Sequence, residues 1–164
     1  MSDSVNNQTV EAKLQELGLQ LPPPSPPAAN YVPALQSGQG DRKYVFVSGQ
    51  LPFKNGELEF LGKLGKDFSV EEGQQAAQLC ALNILAQVKE ICGGDFARVK
   101  QCVRLGGFVN GTDDFTDQPK VLNGASDLMG TVLGDQGRHS RSAIGVNSLP
   151  LGVAVEVEAL FEIE

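Results

Sequence analysis

The chain has 164 residues, of which 41% are hydrophobic and 20% charged, and this is typical of one globular domain. Thirteen Lys and Arg residues against twenty Asp and Glu residues give a net charge of −7, which disfavours nucleic acid as a partner because its phosphates would meet a negative field. No apolar run approaches the roughly 20 residues of a membrane helix, and the first residues lack a signal peptide's pattern, so we expect a cytoplasmic protein without a membrane partner.

Residues 1–27 are predicted to form an N-terminal helix and a proline-rich tether. Thr9–Leu17 is amphipathic and ends at Gly18, as a short helix does. Pro22–Pro27 predicts an extended spacer without internal hydrogen bonds. We interpret it as a tether that lets the helix pack on the body, rather than as a recognition motif for another protein's aromatic groove. The body is expected to run from Ala28 to the last residue.

The body is predicted to open with paired antiparallel strands and to continue into a long helix. Lys43–Ser48 alternates and is rich in β-branched and aromatic residues, as a half-buried strand is. Asn55-Gly56 between apolar residues indicates a hairpin, because both turn positions favour positive φ. Ser69 and Glu72 form a capping box, and apolar residues follow at helical spacing until Gly93-Gly94.

The second half is predicted to contain a strand, a helix and a closing hairpin. Phe96–Val109 is typical of a strand, and Phe115–Leu133 of a helix with a proline in its first turn. A flexible link, Gly134–Arg138, leads to the strand patterns Ser140–Asn147 and Gly152–Ile163, which a short turn joins. The elements therefore predict an α+β fold, a two-layer sandwich of a mixed sheet with two helices packed on one face. The uncovered face predicts a homo-oligomer.

The cysteines and the single histidine exclude several kinds of site. Cys80, Cys92 and Cys102 lie in apolar runs and form no Cys-x-x-Cys pair, so we interpret them as reduced core residues. His139 is the only histidine, so neither a histidine-based metal cluster nor a Ser-His-Asp triad is expected. His139 and Arg138 are expected to be solvent-exposed.

Candidate site residues lie on the last two strands. Glu156, Glu158 and Glu162 project from one face of the final strand. If the closing hairpin places Arg141 opposite Glu158, the arginine stands on that same face, because directly opposed residues project to the same side. Such an arginine can form a surface salt bridge with the glutamates or receive an acidic substrate.

Three segments follow one known pattern. Tyr44–Pro52 is an apolar strand that ends in Ser-Gly-Gln-x-Pro, and Ala81–Val109 contains Gly-Gly-Asp-Phe. Arg141–Pro150 resembles the signature Arg-Ser-x-Val-x-Val-x-x-Leu-Pro, and Val155–Ala159 resembles Val-Glu-Ile-Glu-Ala. Most of residues 31–164 thus resembles the Rid family, the reactive intermediate deaminases, also called YjgF-type and labelled L-PSP endoribonuclease.

This resemblance implies a chorismate-mutase-like fold and a barrel-like homotrimer with pockets at the subunit interfaces. It also implies hydrolysis of reactive 2-enamine and 2-imine carboxylates, such as 2-aminoacrylate, to 2-oxo acids and ammonia, without a cofactor or a metal. By the same resemblance, Arg141 binds the substrate carboxylate and Glu156 orients the attacking water. Ser48 and Tyr31 match a serine and a tyrosine of the family.

Departures from the pattern leave other functions open. Ala143 and Gly145 stand where common members carry Cys or Glu, so we expect a wider and less polar pocket floor. Asp113 is expected to place an extra carboxylate near the pocket, where it would oppose a carboxylate substrate. One alternative is a non-catalytic sensor that binds a small carboxylate at the same pocket. An endoribonuclease is a third possibility, which the net charge of −7 and the single histidine disfavour.

Overall fold

The structure is a computed structural model that describes residues 5–27 and 29–164. Within these residues, the α-helices and strands in chain order are α1 Asn7–Glu16, β1 Ala34–Gln39, β2 Arg42–Gln50, β3 Phe53–Lys54, β4 Glu57–Leu58, α2 Val70–Ile91, β5 Val99–Asn110, α3 Gln118–Leu133, β6 Ser140–Val146 and β7 Val155–Ile163. The domain boundary that the sequence suggests at Ala28 lies outside the described residues. Among the described helices, none is long and apolar enough to cross a membrane.

The described strands include a five-stranded mixed sheet in the order β1-β2-β7-β5-β6. Its neighbouring strands are antiparallel except β5 and β6, which are parallel. Both α2 and α3 pack on one face of this sheet, and the main hydrophobic core lies between the two layers. The predicted α+β two-layer sandwich is therefore confirmed.

Local signals in the sequence account for the long helix and the hairpin. The Ser69 hydroxyl accepts a hydrogen bond from the Glu72 amide at 3.2 Å, and the Ser69 amide donates to the Glu72 carboxylate at 2.8 Å, which is the predicted capping box at the start of α2. Asn55 and Gly56 have φ angles of 53° and 83°, and they form the turn between β3 and β4.

The N-terminal segment packs on the body, as a tether would allow. Val10 and Leu14 of α1 are buried in the main core beside α3. The Asn7 side chain bonds the Gly94 carbonyl and the Phe96 amide at 2.7 and 3.0 Å. The residues between α1 and β1 form neither helix nor strand in the described part of the chain, and their Ser25 carbonyl accepts a hydrogen bond from α2.

The three cysteines are buried and free, as predicted for core residues. Burial raises the pKa of the Cys102 thiol to about 12, so this thiol stays protonated and inert near neutral pH.

The predicted closing hairpin is wrong. Strand β6 pairs with β5 in parallel, and β7 lies between β2 and β5, so β6 and β7 are not neighbours. The physical reason is that β5, α3 and β6 form a strand–helix–strand unit. Helix α3 returns the chain to the end of the sheet at which β5 begins, so β6 runs parallel to β5. Strand β1 was not predicted because only Ala34 and Leu35 of its six residues are apolar, so no alternation of apolar and polar residues marks it.

The link before β6 is ordered rather than flexible. Gly134–Gly137 forms a short 3-10 helix, and Gly137 is buried. A Cβ at Gly137 would overlap the Met129 carbonyl oxygen of α3, so only glycine allows this close approach.

No helix of the described residues covers the sheet face opposite α2 and α3, as predicted. Its large apolar side chains include Leu35, Phe46 and Ile144, which are 56%, 50% and 51% exposed. An apolar face of this kind is typical of a surface that associates with another molecule.

Candidate functional site

An open groove of about 480 Å³ lies on the uncovered face of the sheet. Tyr31 and Ser48 line it, as do Glu158 on β7 and Arg104 on β5. Ser48 is held in place at the end of β2, because its hydroxyl donates to the Val32 carbonyl at 2.8 Å. The groove thus brings together two of the predicted substrate-binding residues, one from β2 and one from the segment before β1.

Glu156 lies beside this groove on β7. It is half-buried, and its carboxylate packs so closely over Gly49 of β2 that a Cβ at Gly49 would overlap the Glu156 Oε1 atom. Burial, and then the negative charge of Glu158, raises the pKa of Glu156 above the ordinary value. A carboxylate with a raised pKa exchanges protons closer to neutral pH, as a general acid or base must.

Arg141 lies on the opposite face of the sheet, toward the helices. Arg141 pairs with Leu105 of β5, and Leu105 pairs with Ala159 of β7. Leu105 and Ala159 are buried in the core beneath the helices, and residues paired across strands project to the same face. The prediction that Arg141 stands opposite Glu158 is therefore wrong. It depended on a hairpin that does not form, and the parallel pairing turns the side chain to the helix layer instead.

Neutral groups of α3 hold the Arg141 guanidinium. Nη1 donates to Ser126 Oγ at 2.9 Å, and Nη2 donates to the Pro119 carbonyl at 3.0 Å. Across residues 5–27 and 29–164, no carboxylate forms an ion pair with this guanidinium. No carboxylate in the described part of the chain thus compensates this positive charge, which can receive an anion.

The expectation of an exposed His139 is wrong, whereas Arg138 is exposed as predicted. The His139 ring is half-buried, with Nε2 2.9 Å from Ser126 Oγ and Nδ1 2.6 Å from the Gly137 carbonyl oxygen. His139 therefore contacts the same hydroxyl that holds Arg141.

The extra space expected beside Gly145 is filled by the side chain of Gln118. A Cβ at Gly145 would lie 2.7 Å from Gln118 Nε2, so the Gln118 side chain fills the space above this glycine. The Gln118 amide is fixed there because it donates to the Phe115 carbonyl at 2.7 Å. Ala143 packs against the core, so the floor near Arg141 consists of an alanine and a glutamine side chain.

Asp113 lies apart from the groove. It is exposed in the loop between β5 and α3, and it does not line the groove that holds Tyr31 and Ser48. The structure therefore brings Tyr31, Ser48 and Glu156 to one face of the sheet, and it places Arg141 on the other.

Sequence reasoning missed four polar residues of these two sites. Ser126 and Gln118 escaped because their contacts with β6 depend on how α3 packs on the sheet, which no local pattern in the sequence shows. His139 was assigned to a flexible link, which is in fact ordered. Arg104 lies on β5, which the sequence predicts as a strand. Irregular pairing between β5 and β7 interrupts the alternation of its residues, so the alternation does not show which face Arg104 occupies.

Comparisons with known proteins fit this architecture. A family model described as "YjgF/chorismate_mutase-like, putative endoribonuclease" matches residues 11–163. Protein TCP17 of Trypanosoma cruzi is 47% identical over 155 residues, which are 94% of each chain. The crystal structure of the protein Atu1372, with unknown function, from Agrobacterium tumefaciens has a TM-score of 0.87 and 44% identity, covering 96% of this chain and 94% of that one.

A more distant structure carries a Rid name. RidA from the Antarctic bacterium Psychrobacter sp. PAMC 21119 has a TM-score of 0.55 and 27% identity, and the alignment covers 86% of this chain and 94% of that chain. The resemblance to Rid proteins and the chorismate-mutase-like fold that it implies are thereby confirmed.

Proposed function

This chain belongs to the YjgF/chorismate mutase-like family, and on that premise we propose that it hydrolyses 2-imino acids, and the 2-enamines from which they form, to 2-oxo acids and ammonia. In this proposal Arg141 binds the substrate carboxylate and Glu156 orients and deprotonates the attacking water. Tyr31 and Ser48 line the space in which the substrate would lie.

The observation that carries the proposal is the state of Arg141. Its guanidinium is fixed by two neutral acceptors at 2.9 and 3.0 Å, and no carboxylate of the described residues pairs with it. A positive charge that is positioned but not neutralised is suited to a carboxylate, which matches the planar fork of an arginine.

Glu156 is suited to the proton transfers that the reaction needs. Water adds to the imine carbon while one of its protons passes through the Glu156 carboxylate to the imine nitrogen, which gives a neutral tetrahedral carbinolamine. Glu156 then takes the proton of the carbinolamine hydroxyl and delivers it to the nitrogen as the C–N bond breaks and the C=O bond forms, so ammonia leaves and the carboxylate is regenerated. The imine plus one water thus balances the 2-oxo acid plus ammonia. A positioned general base contributes about 10² to 10⁴-fold to such a step.

The proposal requires more than one copy of the chain. Arg141 and Glu156 project from opposite faces of the sheet and lie on strands separated by β5, so one chain does not bring them together. We therefore propose that the β6 edge of one copy meets the uncovered sheet face of the next, in a homotrimer with shared sites. The exposed apolar side chains of that face, including Phe46, supply the contact.

The assembly can be tested by adding a charge to the uncovered face. Phe46→Glu should lower the mass measured by sedimentation to that of the monomer and abolish turnover. Leu17→Glu is the matched control, since Leu17 is similarly exposed, at 46%, but lies at the end of α1 in the helix layer. A Phe46→Glu protein that stays assembled and active would contradict the shared site.

Turnover can be tested with an imino acid generated in place by an amino-acid oxidase. The purified protein should accelerate 2-oxo acid formation, and Arg141→Ala should lose this acceleration. Arg138→Ala is the control, because Arg138 is an exposed arginine whose side chain pairs with Asp135 at 3.4 Å. Equal rates for wild type and Arg141→Ala would refute the assignment.

A second candidate, a small-carboxylate sensor, is favoured by one observation. Arg141 and the two groups that hold it, Ser126 Oγ and the Pro119 carbonyl, lie on the helix side of the sheet, away from Glu156. An anion bound to Arg141 there would not contact the proposed base. Thermal stabilisation by a small carboxylate without any turnover would favour this candidate. Endoribonuclease activity is less favoured, because the net charge of −7 opposes RNA binding.

A further inference from the structure

We infer that Ser126 and His139 are positioning residues, which form a hydrogen-bond relay that fixes the Arg141 guanidinium for the substrate carboxylate. This inference rests on the proposed role of Arg141 and extends it to residues that no motif indicates. The relay runs from Arg141 Nη1 to Ser126 Oγ at 2.9 Å, from there to His139 Nε2 at 2.9 Å, and from His139 Nδ1 to the Gly137 carbonyl at 2.6 Å.

The acceptor at Gly137 determines the direction of every bond in the relay. A carbonyl oxygen only accepts, so the proton of a neutral His139 ring lies on Nδ1 and its Nε2 is an acceptor. The Ser126 hydroxyl therefore donates to Nε2, which leaves its lone pairs for Arg141 Nη1. Each donor in the relay meets an acceptor, and the hydroxyl has one orientation instead of several.

Both ends of the relay are anchored in packed structure. Gly137 is buried at the end of the 3-10 helix, and its backbone lies against Met129 of α3. Ser126 lies on α3 itself, about two turns after Pro119, the second acceptor for Arg141. Side chains lean toward the start of a helix and carbonyls point toward its end, so the two acceptors converge on one guanidinium.

The relay has a specific energetic purpose. An arginine side chain loses rotamer entropy when it is fixed, and a ligand that has to order it binds more weakly. Because Ser126 and Pro119 already hold two of its nitrogens, the guanidinium is ordered before the carboxylate arrives. The uncompensated charge then serves the ligand alone.

The first test measures carboxylate affinity with pyruvate as the probe, by titration calorimetry on the assembled full-length protein. Ser126→Ala should weaken pyruvate binding about tenfold, the effect of losing one hydrogen bond to a charged group. In the turnover assay it should raise KM by a similar factor and leave kcat within about twofold, since it disturbs binding and not the chemical step. Ser126→Thr, which keeps the hydroxyl, should restore both values.

Ser140→Ala is the matched control. Ser140 lies next to Arg141 on the same strand, and its hydroxyl also donates one hydrogen bond of 3.0 Å, but to the Val103 carbonyl. Its affinity for pyruvate should equal that of the wild type. Thermal unfolding of every variant verifies that the fold is retained, and substitution of His139, which contacts the same hydroxyl, supplies an independent test if Ser126→Ala is unstable.

The second test asks whether the two residues act along one path. His139→Ala should weaken pyruvate binding about threefold, because the Ser126 hydroxyl loses the acceptor that orients it. His139→Gln, whose amide oxygen can reach the same hydroxyl, should bind more tightly than His139→Ala. In a Ser126→Ala background, His139→Ala should have no further effect, as expected of residues coupled in series.

The outcomes separate this inference from the proposed function. If wild type binds pyruvate more tightly than Arg141→Ala, but Ser126→Ala equals wild type, the relay is overturned and the role of Arg141 stands. Additive effects of the two substitutions would also overturn it. If wild type and Arg141→Ala bind equally, or neither binds, the proposed role of Arg141 fails and the relay fails with it.

Discussion

The Gly49→Ala substitution should remove activity without unfolding the protein. A Cβ at Gly49 would overlap Glu156 Oε1 and would lie 2.8 Å from Cδ and 3.1 Å from Cγ of the same side chain. Carbon atoms pack at about 3.5 Å or more, so the Glu156 carboxyl carbon has to move by about 0.7 Å and its oxygen by more. The backbone at Gly49 has no positive φ, so alanine itself is unstrained there.

The cost of this displacement falls on the chemical step. A misplacement of about 1 Å at a catalytic group can reduce turnover about 10²-fold, and we expect that loss in kcat for Gly49→Ala. Stability should change by less than about 1 kcal/mol, because the side chain that moves is half-buried and can turn toward solvent. The measurements are 2-oxo acid formation from an imino acid generated in place, and urea denaturation.

A comparison variant on β5, the strand on the other side of β7 from β2, tests the reasoning. At Gly106, a Cβ would lie 2.7 Å from Glu158 Oε1, so Gly106→Ala displaces the adjacent carboxylate by the same kind of contact. Its loss of kcat should be less than about tenfold, because Glu158 acts on Glu156 only through charge. If Gly49→Ala keeps wild-type kcat, or if both variants lose activity equally, Glu156 is not the base.

Four further predictions follow from charge, packing and hydrogen bonding. Burial and then the charge of Glu158 raise the pKa of Glu156, so kcat should rise as pH increases through that pKa, and Glu158→Gln should move this limb of the pH–rate profile to lower pH. Because the folded protein holds the Glu156 proton more tightly than the unfolded chain does, the free energy of unfolding should fall as pH rises through the raised pKa. In the Glu156→Gln variant, denaturant titrations at several pH values should no longer show this fall. In α3, Gly124→Ala should destabilise by about 1–3 kcal/mol in urea, because its Cβ would overlap a backbone carbonyl oxygen of α2, whereas Gly130→Ala, with nothing within 4 Å, should stabilise by about 0.5–1 kcal/mol. Lys63→Met should lower the free energy of unfolding by about 1–3 kcal/mol in the same assay. The Lys63 ammonium donates to three oxygens at 2.6 to 3.3 Å and thereby links the end of β5 to the end of β6.

The elements that sequence predicts correctly are those with a local cause. The capping box at Ser69 starts α2, and the Asn55-Gly56 turn forms the small hairpin, because both depend on residues within a few positions of each other. The alternation in β2 and β7 correctly separates a buried face from an uncovered one. The two-layer architecture follows from these periodicities.

The site was predicted less well because it depends on pairing. Arg141 was assigned to the face of Glu156 through a hairpin, and a change of partner from β7 to β5 moved it to the helix side. A strand, a long helix and another strand in succession favour a parallel crossover, so the order β5, α3, β6 contained the correct signal. The space above Gly145 depends on Gln118, which reaches it only through the packing of α3.

The unpaired edges and the uncovered face of the sheet bear on how the proposed trimer would assemble. Strands β1 and β6 are the edges of the sheet, and in the described part of the chain no further strand pairs with either edge. Unpaired edges and an uncovered apolar face both favour association, and folded proteins generally protect them. An assembly that places the β6 edge beside the neighbouring sheet face would cover both features at once. It would also bring the uncompensated charge of Arg141 toward the raised-pKa carboxylate of Glu156 in the next copy, so the interactions that stabilise the trimer would be the ones that complete its site.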